Sequence, residues 1–364
     1  MTNKYLLFVF VVLFLSAQVN AATVNRFVNT ASTAGGDGTT NNTTGSTRAY
    51  ASLSEWESNE STDLVADGDV HIVTCGGGVD TTDTTINGWT TGSSNGITIQ
   101  CTTDKHDGRS RDVSGSGYQI SSGSATGTLK LSEDYVTIDG LDIKNTTTNP
   151  AITWTYGTFT AADNSQILKN TVCQNVNTSS SSYIINCSRL NVIITFENVI
   201  AYGGTRGMDS RSASTVTINH CTFWRHQDQL GLVADTEATV KNTYIGKASG
   251  SSQDFWTGGA APSGNNNASS DTSVSTDYSS SQASQVGSTQ FVSVTAGSED
   301  FTLKASSGLE ANGASGISTN DIIGTTRDVS TPDIGAFEFI ATSTRRIMVV
   351  SQYINNLIET YKYN

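Results

Sequence analysis

Between residues 136 and 245 short apolar runs recur with one internal pattern. Val136-Thr-Ile-Asp-Gly-Leu-Asp-Ile143, Gln166-Ile-Leu-Lys-Asn-Thr-Val-Cys173, Ile194-Thr-Phe-Glu-Asn-Val-Ile-Ala201, Val216-Thr-Ile-Asn-His-Cys-Thr-Phe223 and Thr239-Val-Lys-Asn-Thr-Tyr-Ile245 align without gaps, the last entering one position late. Apolar and polar residues alternate within each run, which is the period of a strand with one buried face. A turn-type residue divides each run: Gly140, Asn170, Asn198, His220 or Asn242. Gly enters the left-handed backbone region freely, and Asn and His are enriched there, so this column is predicted to be a structural bend. Successive units start 30, 28, 22 and 22 residues apart. A unit of that length cannot bury its own apolar face, so it must stack on its neighbours. The pattern therefore predicts a solenoid with three internal columns. The first is Ile138, Leu168, Phe196, Ile218 and Val240; the second is Leu141, Thr171, Val199, Cys221 and Thr243; the third is Ile143, Cys173, Ala201, Phe223 and Ile245.

The flanking segments follow from the same reading. Residues 1–21 have the form of a secretory signal: Lys4, an apolar run over Tyr5–Ala17, and small residues at Val19-Asn20-Ala21. Residues 22–70 are predicted as an N-terminal cap and first strand. Within it Ser52–Glu60 is a short helix, N-capped by Ser52 or Ser54, that covers the open end. Residues 71–340 are the solenoid, with Ile97-Thr-Ile99 the clearest early strand and 249–288 a Ser/Asn/Gly-rich insertion. Phe301-Thr-Leu303 and Ile334–Phe339 are predicted strands that close the domain. The tail 341–364 carries Tyr353, Ile354, Leu357, Ile358 and Tyr361 at helical spacing, a helix that packs on the solenoid or joins copies of the chain.

These residues resemble a known group. Val136-Thr-Ile-Asp-Gly-Leu-Asp-Ile143, with Asn at the later bends, resembles the right-handed parallel β-helix of the pectate-lyase-like superfamily. Arg26-Phe-Val-Asn-Thr, Gly35-Gly-Asp-Gly38 and Ala49-Tyr-Ala-Ser-Leu53 are similar to the opening of secreted and viral β-helix proteins. Asp67-Gly-Asp-Val-His-Ile-Val-Thr74 is similar to their first full coil. Asp321-Ile-Ile-Gly324, Arg327 and Asp333-Ile-Gly-Ala-Phe-Glu338 resemble their closing motif. The resemblance implies an all-β, single-stranded parallel β-helix. Its activity stays open, because this fold hosts lyases, hydrolases and non-catalytic proteins.

Composition narrows the partners. Only 15% of residues are charged, and the formal net charge is −13, becoming −14 once residues 1–21 are removed. That sign opposes phosphate-backbone binding, so nucleic acid is a poor partner. An acidic polysaccharide would need a bridging divalent cation, and Ca²⁺ is the candidate. No apolar stretch after the signal is long enough for a membrane anchor. The five Cys lack any CxxC pair, which disfavours a structural zinc site. Cys75 and Cys101 are the candidate disulfide, and Cys173 and Cys221 are predicted core residues too far apart to pair.

One stretch concentrates reactive side chains: Arg206, Asp209, Arg211, His220, Trp224, Arg225, His226 and Asp228. Residues one coil apart are near neighbours in a solenoid, so Asp209 and Asp228 are predicted to line one face. A carboxylate pair of that kind can hydrolyse a glycosidic bond. Arg206, Arg211 or Arg225 can alternatively serve as the base of a lyase, with Ca²⁺ on Asp side chains. Trp224 and Trp256 can stack on sugar rings, with Arg225 and His226 beside them. The catalytic signatures of the superfamily are mostly missing: no Asn-Thr-Asp with a Gly-His-Gly partner, and no Arg-x-Pro-x-x-Arg. The leading expectation is an exported, extracellular or particle-surface β-helix that recognises a polysaccharide or cell-surface glycan. A polysaccharide lyase or glycoside hydrolase, and a non-catalytic structural or fibre subunit, are the alternatives.

Overall fold

The structure is a computed structural model. It describes residues 21–154, 165–177, 183–187, 192–210, 215–226, 232–234, 238–250, 252–257, 263–275 and 278–340, with backbone alone at 232–234, 256–257 and 275. The signal segment, up to residue 20, and the tail 341–364 lie outside the described residues.

The chain winds through three parallel sheets. Each coil places one strand in a nine-stranded sheet, the next in an eight-stranded sheet and the third in a seven-stranded sheet. The coil that opens the repeat shows the order: Val136–Asp139, then Asp142–Asn145, then Ile152–Thr153. The first predicted column forms in register, Ile138 beside Leu168, Phe196, Ile218 and Val240 in turn, and all five are fully buried. It extends down through Ile99 and Val73. The third column forms in the same way, with Cys173 paired to Ile143 and Ala201, then Phe223, then Ile245. The second column, from Leu141 to Thr243, is wholly buried between them.

The bend lies where the sequence places it. Gly140, Asn170, Asn198, His220 and Asn242 have φ of 79°, 49°, 53°, 51° and 50°, and Asn266 continues the row at 52°. Asn198 Nδ2 donates to Asn170 Oδ1 at 3.2 Å, and Asn242 Nδ2 to His220 Nε2 at 2.9 Å. A left-handed backbone costs a non-glycine residue strain, and these coil-to-coil bonds hold it in place.

Both ends are covered. The helix Leu53–Glu60 is capped by Ser52, whose side chain accepts from Glu55 N, and it drives Leu53 and Trp56 into the core, Trp56 stacking on Trp89 at 5.3 Å. The free edge of Ala22–Asn29 is met by Gly38 and Tyr50, which exchange backbone hydrogen bonds with Phe27 and Asn29. At the other end Asn265 bridges Ser279 and Ala268 bridges Gln282, while Val274 and Tyr278 seal the core. Covered edges blunt strand-to-strand association.

Three expectations need correction. Residues 249–288 are not an insertion: Phe255–Thr257, Ser263–Asn265 and Ala268–Ser269 belong to the three sheets, and 273–283 cap the end. Ile334–Phe339 is no strand. Its N–H groups bond singly to Leu309 O, Asn242 O, Thr222 Oγ1, Asp321 Oδ2 and Asp333 Oδ2, so no ladder is left to form. Nor does the predicted closing motif cover an end. Residues 286–339 instead form a strap along the outside of the eight-stranded sheet, making a second apolar core of Val172, Ile200, Tyr202, Trp224 and Tyr244 with Phe291, Phe301, Leu309, Ile322 and Phe337.

Candidate functional site

The strap decides which predicted residues are accessible. Trp224 alternates with inward Phe223 and so points out of the solenoid, but it is 2% exposed, stacked on Tyr244 and closed over by Gly287. It cannot meet a sugar ring. Arg225 is buried completely and paired with the equally buried Asp254. Lys247 joins that network, 3.3 Å from Asp254 and 2.7 Å from Asp271. Buried charge survives only when paired, which makes Arg225 a corner post rather than a ligand contact. His226 Nε2 sits 2.8 Å from Glu299 Oε1 and ties this corner to the strap. His220 is buried in the bend row, and burial lowers its pKa to about 2, so it stays neutral and accepts from Asn242.

The two remaining charged candidates lie on another face. Arg206–Ser210 is a strand of the seven-stranded sheet, whereas Thr222–Arg225 is in the eight-stranded sheet. The predicted eight-residue cluster is therefore divided, because a coil turns a corner between the two strands. Arg206 pairs in register with Tyr183, and Asp209 with Asn186. Arg206 Nη1 donates to the Tyr183 hydroxyl at 2.7 Å, and its guanidinium carbon lies 5.1 Å from the Tyr183 ring centroid. Burial, and then the Asp209 carboxylate, push the Tyr183 hydroxyl pKa up. Met208 points into the core, so Asp209 takes the outward parity, in one column with Thr153 and Asn186. Asp209 itself is 3% exposed. It orients Tyr183, and Tyr183 and Arg206 are the half-exposed members. Arg211 and Asp228 lie outside the described residues, so the carboxylate pair has only one described member. The backbone of Trp256 stands two rungs from Asp209 in the same column.

Cys75 and Cys101 follow the paired Thr74 and Gln100 on adjacent rungs, yet both are free buried thiols. In-register Cβ atoms follow the strand spacing of about 4.8 Å, wider than the ~3.8 Å that a disulfide requires. Cys173, Cys187 and Cys221 are also buried and free. Among the described residues no group of three or more His, Cys, Asp or Glu side chains is arranged to hold a metal ion. No helix there is long and apolar enough to cross a membrane.

Sequence reasoning missed the strap, although Ile200-Ala-Tyr202 and Thr222-Phe-Trp224 carry the signal. Apolar side chains occupy both parities of these strands, the mark of a sheet covered on both faces. Sequence reasoning named Arg327 in the closing motif but gave it no contact. This residue is 3% exposed and reaches into the bend row, donating to Asn198 Oδ1 at 2.9 Å and to Gly335 O at 3.0 Å and Ala336 O at 3.1 Å.

Three parallel sheets wound coil upon coil, with an asparagine-rich bend between the first two, define a parallel β-helix. Among solved structures, the chain is similar to one described as the crystal structure of pectate lyase Pel9A, at 13% identity and a TM-score of 0.40, covering 89% of this chain and 98% of that one. No family model and no curated protein matches the sequence.

Proposed function

We propose that this chain is an exported or particle-surface β-helix that recognises carbohydrate, with Tyr183 and Arg206 as the contact residues on the seven-stranded sheet. One observation carries the reading: a guanidinium stacked on and hydrogen-bonded to a tyrosine, with a buried carboxylate behind them. Such a pair offers several donors at fixed angles to sugar hydroxyls, and its aromatic face suits the apolar side of a pyranose ring. The pair is pre-ordered, so little side-chain freedom is lost on binding. The signal-like segment supports export. A glycan array tests the proposal. Arg206→Ala and Tyr183→Phe should each lose the wild-type glycan signal while keeping the far-ultraviolet circular dichroism of the parent. Retained binding in both variants would refute the assignment.

A further inference from the structure

The strap touches the outer face of the nine-stranded sheet at Glu197, which accepts from Ser318 Oγ at 2.8 Å, and the side chains of that face form straight rows. One row is Thr98, Thr137, Ile167, Thr195, Thr217, Thr239 and Ser263, each in register with the next and all but Ser263 half-exposed. With strands about 4.8 Å apart, the row runs about 29 Å along the solenoid axis. The row beside it is Gln100, Asp139, Lys169, Glu197, Asn219, Lys241 and Asn265. It holds two acids and two bases, and Lys169 already pairs with Asp139 at 3.3 Å. A chain of net charge −13 thus carries here a row that sums to zero.

We infer that this face binds a neutral polysaccharide chain in extended form, as presented on the surface of an insoluble fibre. Three features of the rows fit that occupant. Threonine presents a methyl and a hydroxyl together, matching a pyranose with its apolar ring face and equatorial hydroxyls. Its β-branched side chain is stiff at χ1 and the strands beneath are fixed, so the array is ordered before binding. A balanced row gives a polyanion nothing to gain, and the surrounding negative charge repels it, whereas a neutral chain meets no such barrier. The rung spacing is also close to the advance of one sugar along an extended chain. These residues are distinct from Tyr183 and Arg206, so this surface stands or falls separately from the reading above.

The test is sedimentation of the full mature chain with microcrystalline cellulose and with chitin. Polygalacturonate immobilised on beads is the charged comparator. Wild type should sediment with at least one neutral fibre, equally at about 0.05 and 0.5 M salt, and not with polygalacturonate. The double variant Thr195→Val/Thr217→Val keeps shape and removes two hydroxyls. It should bind at least tenfold more weakly with an unchanged melting temperature. Failure to bind either neutral fibre, preference for polygalacturonate, loss of binding in salt, or full binding by the double variant would each overturn the inference.

Discussion

Two sheets of this solenoid share one backbone repeat and differ in what lies outside them. The outward residues of the eight-stranded sheet include Val172, Ile200, Tyr202, Trp224 and Tyr244, all nearly or fully buried. Those of the nine-stranded sheet are mainly Thr, Asn, Asp, Glu and Lys, and they remain half-exposed. The inward columns are apolar in both. Stacking needs only the inward parity, so the outward parity is free to specify what each face does. On one sheet it folds residues 286–339 back as a strap, and on the other it leaves a polar surface. The comparison teaches that outward aromatics mark the sheet face that the chain covers with its own strap.

The sharpest way to break that comparison is to truncate one outward residue on each sheet. Trp224→Ala should cost about 3–5 kcal/mol in denaturant unfolding, because it empties the centre of the second core. Thr217→Ala, at an outward site on the other sheet, should stay within about 0.5 kcal/mol. Similar costs at both sites would mean that the two faces are equally covered. Arg327→Ala should cost about 3 kcal/mol, since it removes the buried charge that links Asn198, Glu338 and the carbonyls of 335 and 336. Arg327→Lys should not restore the loss, because one ammonium cannot replace a fork of donors. A stable lysine variant would show that the link is a point charge only.

A pH slope is expected from Asp142, buried under residues 110–119. Its Oδ2 accepts from Arg111 N at 2.7 Å and Gln119 Nε2 at 2.8 Å, yet burial pushes its pKa up to about 7. The folded state then holds a proton that the unfolded chain releases near pH 4. Asp142 therefore lowers stability as pH rises from about 4 to about 7, by at most ~1.4 kcal/mol per pH unit, and has no further effect above that window. Glu57, which burial also raises to about 7, adds a slope of the same sign. Asp142→Asn should flatten the profile in part; an unchanged slope would remove Asp142 from this account.

Much of the fold is legible because a repeat states it several times over. Ile138, Leu168, Phe196, Ile218 and Val240 each mark one register, and Gly140 to Asn242 each mark one bend. The strap is written once, in a segment whose hydrogen bonds run to distant side chains, so no period announces it. The candidate site was half legible for a related reason. Arg206 and Asp209 were found by residue type, and their strand holds them together with Tyr183 and Asn186. Trp224 and Arg225 were grouped with them by nearness in sequence, but a solenoid separates neighbours at each corner. Tyr183 lies 23 residues from Arg206, one full coil away, and only the register reveals the pair.

Hydroxyl-radical footprinting read by mass spectrometry tests the central claim most directly, since it reports both faces in one native sample. The account predicts that Tyr202, Trp224 and Tyr244 stay unlabelled while Ile72, Ile167 and Ile193 are modified. Labelling of Trp224 at the rate of the denatured chain, with Ile167 protected, would contradict it.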